Sequence, residues 1–457
     1  LPFDLRRLEP LYAKLPEVEP PKVPLTLRQK LMWTAAVLLT FFVLGYIRPY
    51  GVSQAAAEQL AFLSVVLASR IGSIITAGIG PIVLASIILQ LFVGAGIFSV
   101  DLSRPEGKKA FTGTQKLLAI LLSFFEAWVF TRSYLIPAPG MLWLVVLQVA
   151  FGSILLMYLD EVVMKWGIGS GISLFIAGGV AKTMFVRTFG PQNSVIIDII
   201  NAFSTGNLTQ LIQPLWLITA TILVFLLVVF AEGIQVEIPI TWTRAKGYGG
   251  RHPIKLLYLS NIPVILAAAL FANIQLIAYL VQGTPLAPIL GVYDPTTRQF
   301  VGGLAMFTQP PRTLLTELVN TIIYGQAYPA LWLHIVQAIG YLILLTLTSV
   351  LFGYLWLELS GMGPKQIAEQ LVRSGFTVPG FRRDPRVVEK VLERYIPVVA
   401  ILGSAFVGAL AAFTDIFGAL ASGMGILLAV DIVYRYYQLL MRERLFEQHP
   451  ELAKVLG

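Results

Sequence analysis

Residues 214–234 read PLWLITATILVFLLVVFAEGI. The single charge in this run, Glu232, stands near its end. A bilayer core is ~30 Å thick, so a spanning helix needs about 20 mostly apolar residues. Nine further stretches meet the same description, giving spans at about 30–48, 72–98, 114–135, 141–159, 170–189, 214–234, 256–281, 329–357, 396–418 and 422–441. The whole chain agrees: 457 residues, 56% hydrophobic, 13% charged, mean hydropathy +0.77. So apolar a chain cannot cover its own surface with polar groups, which excludes a soluble globular enzyme and a disordered protein. There is no Cys, hence no disulfide frame, thiol nucleophile or thiolate metal site, and 3 His make a histidine-rich metal centre improbable. The expectation is an all-α polytopic membrane protein with no cofactor and no metal.

Ten spans put both termini on one side, and the basic residues choose the side. Of the 33 Lys and Arg, 26 fall on the face holding the termini and the 2/3, 4/5, 6/7 and 8/9 connections. That bias predicts cytoplasmic termini. Residues 1–29 are mixed-charge and Pro-rich, with no apolar core before the first span, and read as a cytoplasmic amphipathic segment rather than a signal peptide. The 442–457 tail is assigned to the same side. Two cytoplasmic loops are strongly basic. Loop 235–255 carries Arg244, Lys246, Arg251 and Lys255, and loop 359–395 carries Arg382 and Arg383 among others. Such clusters serve as topology signals and headgroup contacts, or dock a polyanionic partner. Charge alone leaves both readings open.

Several segments break the pattern. Residues 55–68 (AAAEQLAFLSVVLA) are apolar but too short to span, with Glu58 inside. They read as an external amphipathic helix or as a stopper buried in a cavity. The second span contains Gly72, Gly78, Gly80 and Pro81, which weaken and bend a helix or let helices approach closely. Gly167-Ile168-Gly169-Ser170-Gly171 resembles a serine-nucleophile fragment, yet neither His252 nor His334 lies at bilayer depth to activate Ser170. The eight residues from Ser170 (SGISLFIA) echo the eight from Ser422 (SGMGILLA), one opening span five and the other span ten. The two spans cross in opposite directions, as in an inverted five-plus-five repeat. Charges at depth are few: Glu126, Lys182, Glu232, Asp415 and Asp431. They form no row suited to an ion-coupled relay, which disfavours the alternative of a secondary transporter built on an inverted repeat.

Six motifs then stand in order: Gly78-Ile79-Gly80-Pro81-Ile82-Val83, Tyr158-Leu159-Asp160-Glu161, Gly167-Ile168-Gly169-Ser170-Gly171-Ile172, Val236-Glu237-Ile238-Pro239, Ser260-Asn261-Ile262-Pro263-Val264-Ile265-Leu266, and Phe271-Ala272-Asn273-Ile274-Gln275. Together they resemble the SecY family, the channel subunit of the protein translocon, in its archaeal form, over nearly the whole chain. The resemblance implies two inverted five-helix halves, 30–189 and 214–441, joined by an external hinge at 190–213, around a central hourglass pore. Its waist would be a ring of Ile79, Val83, Ile172, Ile176, Ile265 and Leu428. Segment 55–68 matches the family's plug helix, with Glu58, Leu60, Phe62, Leu63, Val65 and Val66. Spans two and three would face spans seven and eight across a lateral gate lined by Asn273 and Glu126. Leu84 departs from the family, many members of which carry a polar residue there. The basic loops match those that dock the ribosome, with Arg244, Lys246, Arg251, Lys255, Arg382 and Arg383 as contacts to ribosomal RNA and protein. SecE/gamma-type and beta-type small subunits, the nascent polypeptide with its signal sequence, and lipid are the other implied partners, in the cytoplasmic membrane.

The chemistry of such a ring is intelligible from its residue types. A chain of arbitrary sequence must pass without sticking. Aliphatic side chains offer no directional bonds, and a narrow apolar constriction stops ions by dewetting when empty. Sideways release of an apolar segment is partitioning into lipid. No covalent chemistry is required, and no catalytic constellation is present.

Overall fold

Thr26 opens the first long helix, α1 (Leu27–Leu44), with a reciprocal cap: the Gln29 N–H donates to Thr26 Oγ1 at 3.4 Å and the Thr26 N–H to Gln29 Oε1 at 3.0 Å. The computed structural model describes the chain except residues 1–2, 24, 56–71, 95, 101–104, 134, 192–193, 207, 243–248, 260, 295–298, 312, 360–361, 374–375, 378–383 and 449–457. It divides into two compact units, residues 1–182 with 432–457, and residues 183–431.

In the first unit, α2 (Gly80–Gly94), α3 (Pro105–Ser133), α4 (Leu142–Trp166) and most of α5 (Gly171–Phe189) follow α1, with the C-terminal part of α13 (Gly423–Gln448). Helix α3 packs on both α2 and α4, and α1 packs on α4. A core of Ala77, Ala127, Val145, Val146, Val149 and Ala150 lies among them. Residues 72–79 differ from the bent helical span expected over 72–98. They form turns, with Gly78 at φ +58°, and α2 begins only at Gly80. Pro81 therefore sits in a first turn, where its missing N–H costs nothing, and kinks no helix. A Cβ on Gly152 would strike the Ile74 carbonyl, so the turn segment is pressed against α4. The N-terminal segment is docked: Leu5 and Tyr12 are buried with Leu89 and Ala110, Glu17 pairs with Lys165 at 2.8 Å, and Trp166 Nε1 donates to the Glu19 carbonyl at 2.8 Å.

The second unit holds α6 (Val195–Ser204), α7 (Ile212–Gly233), α8 (Ile262–Leu280), α9 (Leu314–Tyr324), α10 (Leu331–Leu359), α11 (Pro364–Arg373), α12 (Pro385–Phe417) and the first residues of α13. Helix α12 packs along α10 and α11, and α10 packs on α8. After α7 the chain forms a hairpin of β1 (Gln235–Trp242) and β2 (Gly249–Lys255), in register from Gln235 opposite Lys255 to Thr241 opposite Gly249. A short strand from the other basic loop, β3 (Phe376–Thr377), pairs with the free edge of β1, Thr241 opposite Thr377. The two basic loops are thus parts of one three-stranded sheet.

Among the described residues eight helices are long and apolar enough to cross a membrane: α1, α3, α4, α5, α7, α10, α12 and α13. The stretches expected as spans two and seven supply shorter apolar runs among the described residues, Gly80–Val93 and Ile262–Phe271. Large apolar side chains such as Phe230, Ile222 and Leu347 are exposed on these helices, the outward-greasy pattern that lipid demands.

Candidate functional site

The six aliphatic positions lie at the beginnings of four helices or just before them. Ile79 immediately precedes α2 and Val83 is in its first turn. Ile172 and Ile176 lie in the first two turns of α5, Ile265 in the first turn of α8, and Leu428 in the second turn of α13. Ile79 is 0% exposed, Leu428 4% and Ile176 8%, while Val83, Ile172 and Ile265 are half-buried. None of the six belongs to the large exposed apolar set, whereas Leu84, next to Val83, is 37% exposed.

Each of three helices that carry these positions begins against a polar clamp. In the first unit Asp160, on the last turns of α4, reaches across the linker to α5. Its Oδ1 accepts the Ile172 N–H at 3.0 Å and the Ser170 hydroxyl at 3.1 Å. Gly171 has no Cβ because one there would meet the Asp160 Cα. The Tyr436 hydroxyl donates to the Ser170 carbonyl at 2.8 Å, and the Tyr436 ring covers Gly169, held at φ +75°. In the second unit Asp415, on the last turn of α12, accepts the Gly423 N–H at 2.7 Å through Oδ1 and the Tyr341 hydroxyl at 3.0 Å through Oδ2. Ser422 Oγ accepts the Gly425 N–H at 3.1 Å. At the start of α8, Asn261 Nδ2 donates to Asp431 Oδ2 at 3.2 Å and to the Leu427 carbonyl at 3.4 Å. That places the first turn of α8, with Ile265, beside the part of α13 that carries Leu428. A carboxylate facing the first N–H groups of a helix satisfies donors that lack an intrahelical partner and complements the helix dipole.

Ser170 is thus a linker residue bound to a carboxylate, with no imidazole among its described partners. Among the described residues no cluster of His, Asp and Glu suits a metal ion. Of the positions expected to line a gate, Asn273 lies within α8, and Glu126 is half-buried in α3, its side chain making no hydrogen bond or ion pair to the described residues. The positions expected to form a plug, Glu58, Leu60, Phe62, Leu63, Val65 and Val66, lie outside the described residues, as do Arg244, Lys246, Arg382 and Arg383. Arg251 is on β2, opposite Pro239 of β1. Lys255 ends β2, and its Nζ stands 3.6 Å from Glu232 at the end of α7, so this lysine also ties the sheet to the helix below it. Of the five charges expected at depth, four are engaged: Glu232 with Lys255, Asp415 with Tyr341 and Gly423, Asp431 with Asn261, and Lys182 over the Tyr46 ring at 4.3 Å. Sequence reasoning placed Asp160 in a motif and Asp415 near a span end without finding what they do. The available signal was a carboxylate on the outgoing helix, followed within about a dozen residues by the repeated Ser-Gly that opens the next.

Comparison with known proteins gives the family. The family model SecY matches residues 73–437. The protein translocase subunit SecY of Methanocaldococcus jannaschii is 44% identical over 457 residues, covering 99% of this chain and 100% of its own. A solved structure described as a protein conducting channel is 43% identical, covers 98% of this chain and 99% of its own, and superposes with a TM-score of 0.80. Sec61 in a canine ribosome-channel complex from the endoplasmic reticulum is 41% identical over 98% of this chain and 99% of its own, with a TM-score of 0.77. With a family match over most of its length and full-length relatives far above chance identity, this chain belongs to the SecY family.

Proposed function

We propose that this chain is the channel through which secretory polypeptides cross the cytoplasmic membrane and from which apolar segments pass sideways into lipid. The observation that carries the proposal is the chain-long likeness, at 43% identity, to a structure described as a protein conducting channel. Ile79, Val83, Ile172, Ile176, Ile265 and Leu428 form the constriction, and their withdrawal from the exposed apolar surface supports this role. Segment 55–68 is its stopper, 190–213 its hinge, and Glu126 and Asn273 line the seam through which segments leave.

The channel does no covalent chemistry. Its free energy comes from the elongating ribosome or a separate motor, and its selectivity from partitioning. The ribosome docks on the basic sheet formed by loops 235–255 and 359–395, through Arg244, Lys246, Arg251, Arg382 and Arg383, a reading supported by the likeness to the ribosome-bound Sec61. Both termini lie in the cytoplasm with that sheet, and small SecE/gamma-type and beta-type subunits complete the complex.

The test is reconstitution. The chain, purified with its small membrane partners, is placed in liposomes and offered a ribosome-bound secretory precursor. Protease-protected precursor inside the vesicles is the expected result. Precursor that stays accessible, together with saturable uptake of a small solute, would instead establish the transporter reading.

A further inference from the structure

The linker between α4 and α5 and the linker between α12 and α13 are built alike, one in each unit. Each ends in Ser-Gly, with the Gly as the first helical residue, Gly171 or Gly423. In each, an Asp on the outgoing helix turns back to accept a first-turn N–H of the incoming one: Asp160 from Ile172 at 3.0 Å and Asp415 from Gly423 at 2.7 Å. A tyrosine hydroxyl from a third helix completes each cluster, Tyr436 on the Ser170 carbonyl at 2.8 Å and Tyr341 on Asp415 at 3.0 Å. Neither Gly tolerates a Cβ. One on Gly171 meets the Asp160 Cα, and one on Gly423 meets the Thr414 side chain. The same device occurs twice, in the two halves of the sequence repeat, at the roots of the helices that carry Ile172, Ile176 and Leu428.

We infer that Asp160 and Asp415 are paired positioning residues of the channel: each carboxylate pins the first turn of its helix and so holds the aliphatic side chains one or two turns further on in the closed, ion-tight arrangement. The inference rests on the channel reading given above. The physical argument is short. The first N–H groups of α5 and α13 have no intrahelical acceptor, and at bilayer depth water does not replace a lost one. Without the carboxylate the first turn frays, and a frayed turn cannot hold Ile172 or Leu428 at fixed radius.

The test compares Asp160→Ala and Asp415→Ala with Asp160→Asn and Asp415→Asn, all in the complete complex. Asn keeps an acceptor oxygen of the same reach, whereas Ala removes it. Amide exchange of residues 171–175 in Asp160→Ala, and of 423–427 in Asp415→Ala, should speed by about tenfold, the effect of losing a charge-assisted cap. Resting ion leak through reconstituted channels should rise in the same variants, with Asn restoring both readouts most of the way. Exchange should change only at the tended helix, which separates positioning from general loss of fold. If an Ala variant does not accumulate, Tyr436→Phe and Tyr341→Phe, which remove one hydroxyl from each cluster, give the same two readouts in smaller measure. Unchanged first-turn exchange in the Ala variants would overturn the inference. So would faster exchange without leak in a channel that the Ile79→Asn, Ile176→Asn double variant does make leaky. If that double variant is also tight, the fault lies with the constriction itself, and the inference falls with it.

Discussion

Asn261 Nδ2 donates to Asp431 Oδ2 at 3.2 Å, joining the start of α8 to the first half of α13. Asn261 is 2% exposed and Asp431 6%, and the Asn261 Oδ1 is without a partner among the described residues. The amide therefore serves this contact mainly as a donor to a buried carboxylate. Hydrogen bonds to charged groups contribute about 1.5–3 kcal/mol, and a buried carboxylate left short of donors is costly. Asn261→Ala should lower stability by about 1–3 kcal/mol, seen as an earlier thermal transition of the detergent-solubilised complex. Asn261→Asp should be worse than Ala despite its similar size, because it sets a second carboxylate against the first. An Asp variant more stable than the Ala variant would show that the contact is not electrostatic in this sense.

The N-terminal segment offers a pH-dependent contact at the membrane edge. Lys165, which also meets Glu161 at 3.0 Å, holds the Glu17 carboxyl below its ordinary range through a hydrogen bond and its charge. Because the folded value is depressed, the contribution is full above the ordinary value of 4.5 and is lost as pH falls through the folded value. Glu17 is largely exposed, so the pair is worth under about 1 kcal/mol. Limited proteolysis at residues 13–22 should quicken modestly as pH drops below 4.5 in the native chain. In Glu17→Gln it should already be quick at pH 7, with no further acid-dependent change from this pair.

The spans were legible because a run such as 214–234 admits only one reading in a bilayer. What escaped the sequence is what depends on contacts far along the chain. Residues 72–79 have the apolar composition of a helix, yet Gly78 adopts a positive φ and Gly152 lets the Ile74 backbone come close, so turns replace the first half of a span. Neither fact is local to the segment. Residues 235–242 read as part of a basic loop but form a strand whose second partner, Phe376–Thr377, stands well over a hundred residues away, and periodicity cannot choose a partner. The two basic loops accordingly read as separate features and folded as one sheet. At the ring the aliphatic residue types carry no signal of their own, and family register alone singled them out. The clamping carboxylates were visible as rare charges near span ends, without the geometry that explains them.

The shared sheet changes how the basic loops should respond to mutation. If the loops bind a polyanion together, each lost cation removes about one counterion-release term from the salt dependence. Arg244→Glu with Arg382→Glu should weaken ribosome binding by tenfold or more at low salt, on the order of the loss of two phosphate contacts, and flatten the slope of log affinity against log salt by about 2. Topology, read from glycosylation or protease accessibility of the loops, should be unchanged, since 26 basic residues set it and only two are altered. Parent-like affinity and slope would leave these charges as topology signals alone.

The proposed constriction makes the sharpest demand. Ile79 is fully buried before α2 and Ile176 nearly so in α5. A polar side chain at a dewetted neck lets water persist there, and ions follow water. Burying an unpaired amide costs about 1–3 kcal/mol, which the closed state can relieve only by admitting water. Ile79→Asn with Ile176→Asn should therefore raise resting ion conductance of the reconstituted channel by an order of magnitude or more, while Ile79→Leu with Ile176→Leu, which keeps the neck apolar at equal volume, should remain tight. Planar-bilayer recordings without substrate read both. A double Asn channel as tight as the Leu one would mean that these side chains pack the interior of their helices and that the seal lies elsewhere along the path.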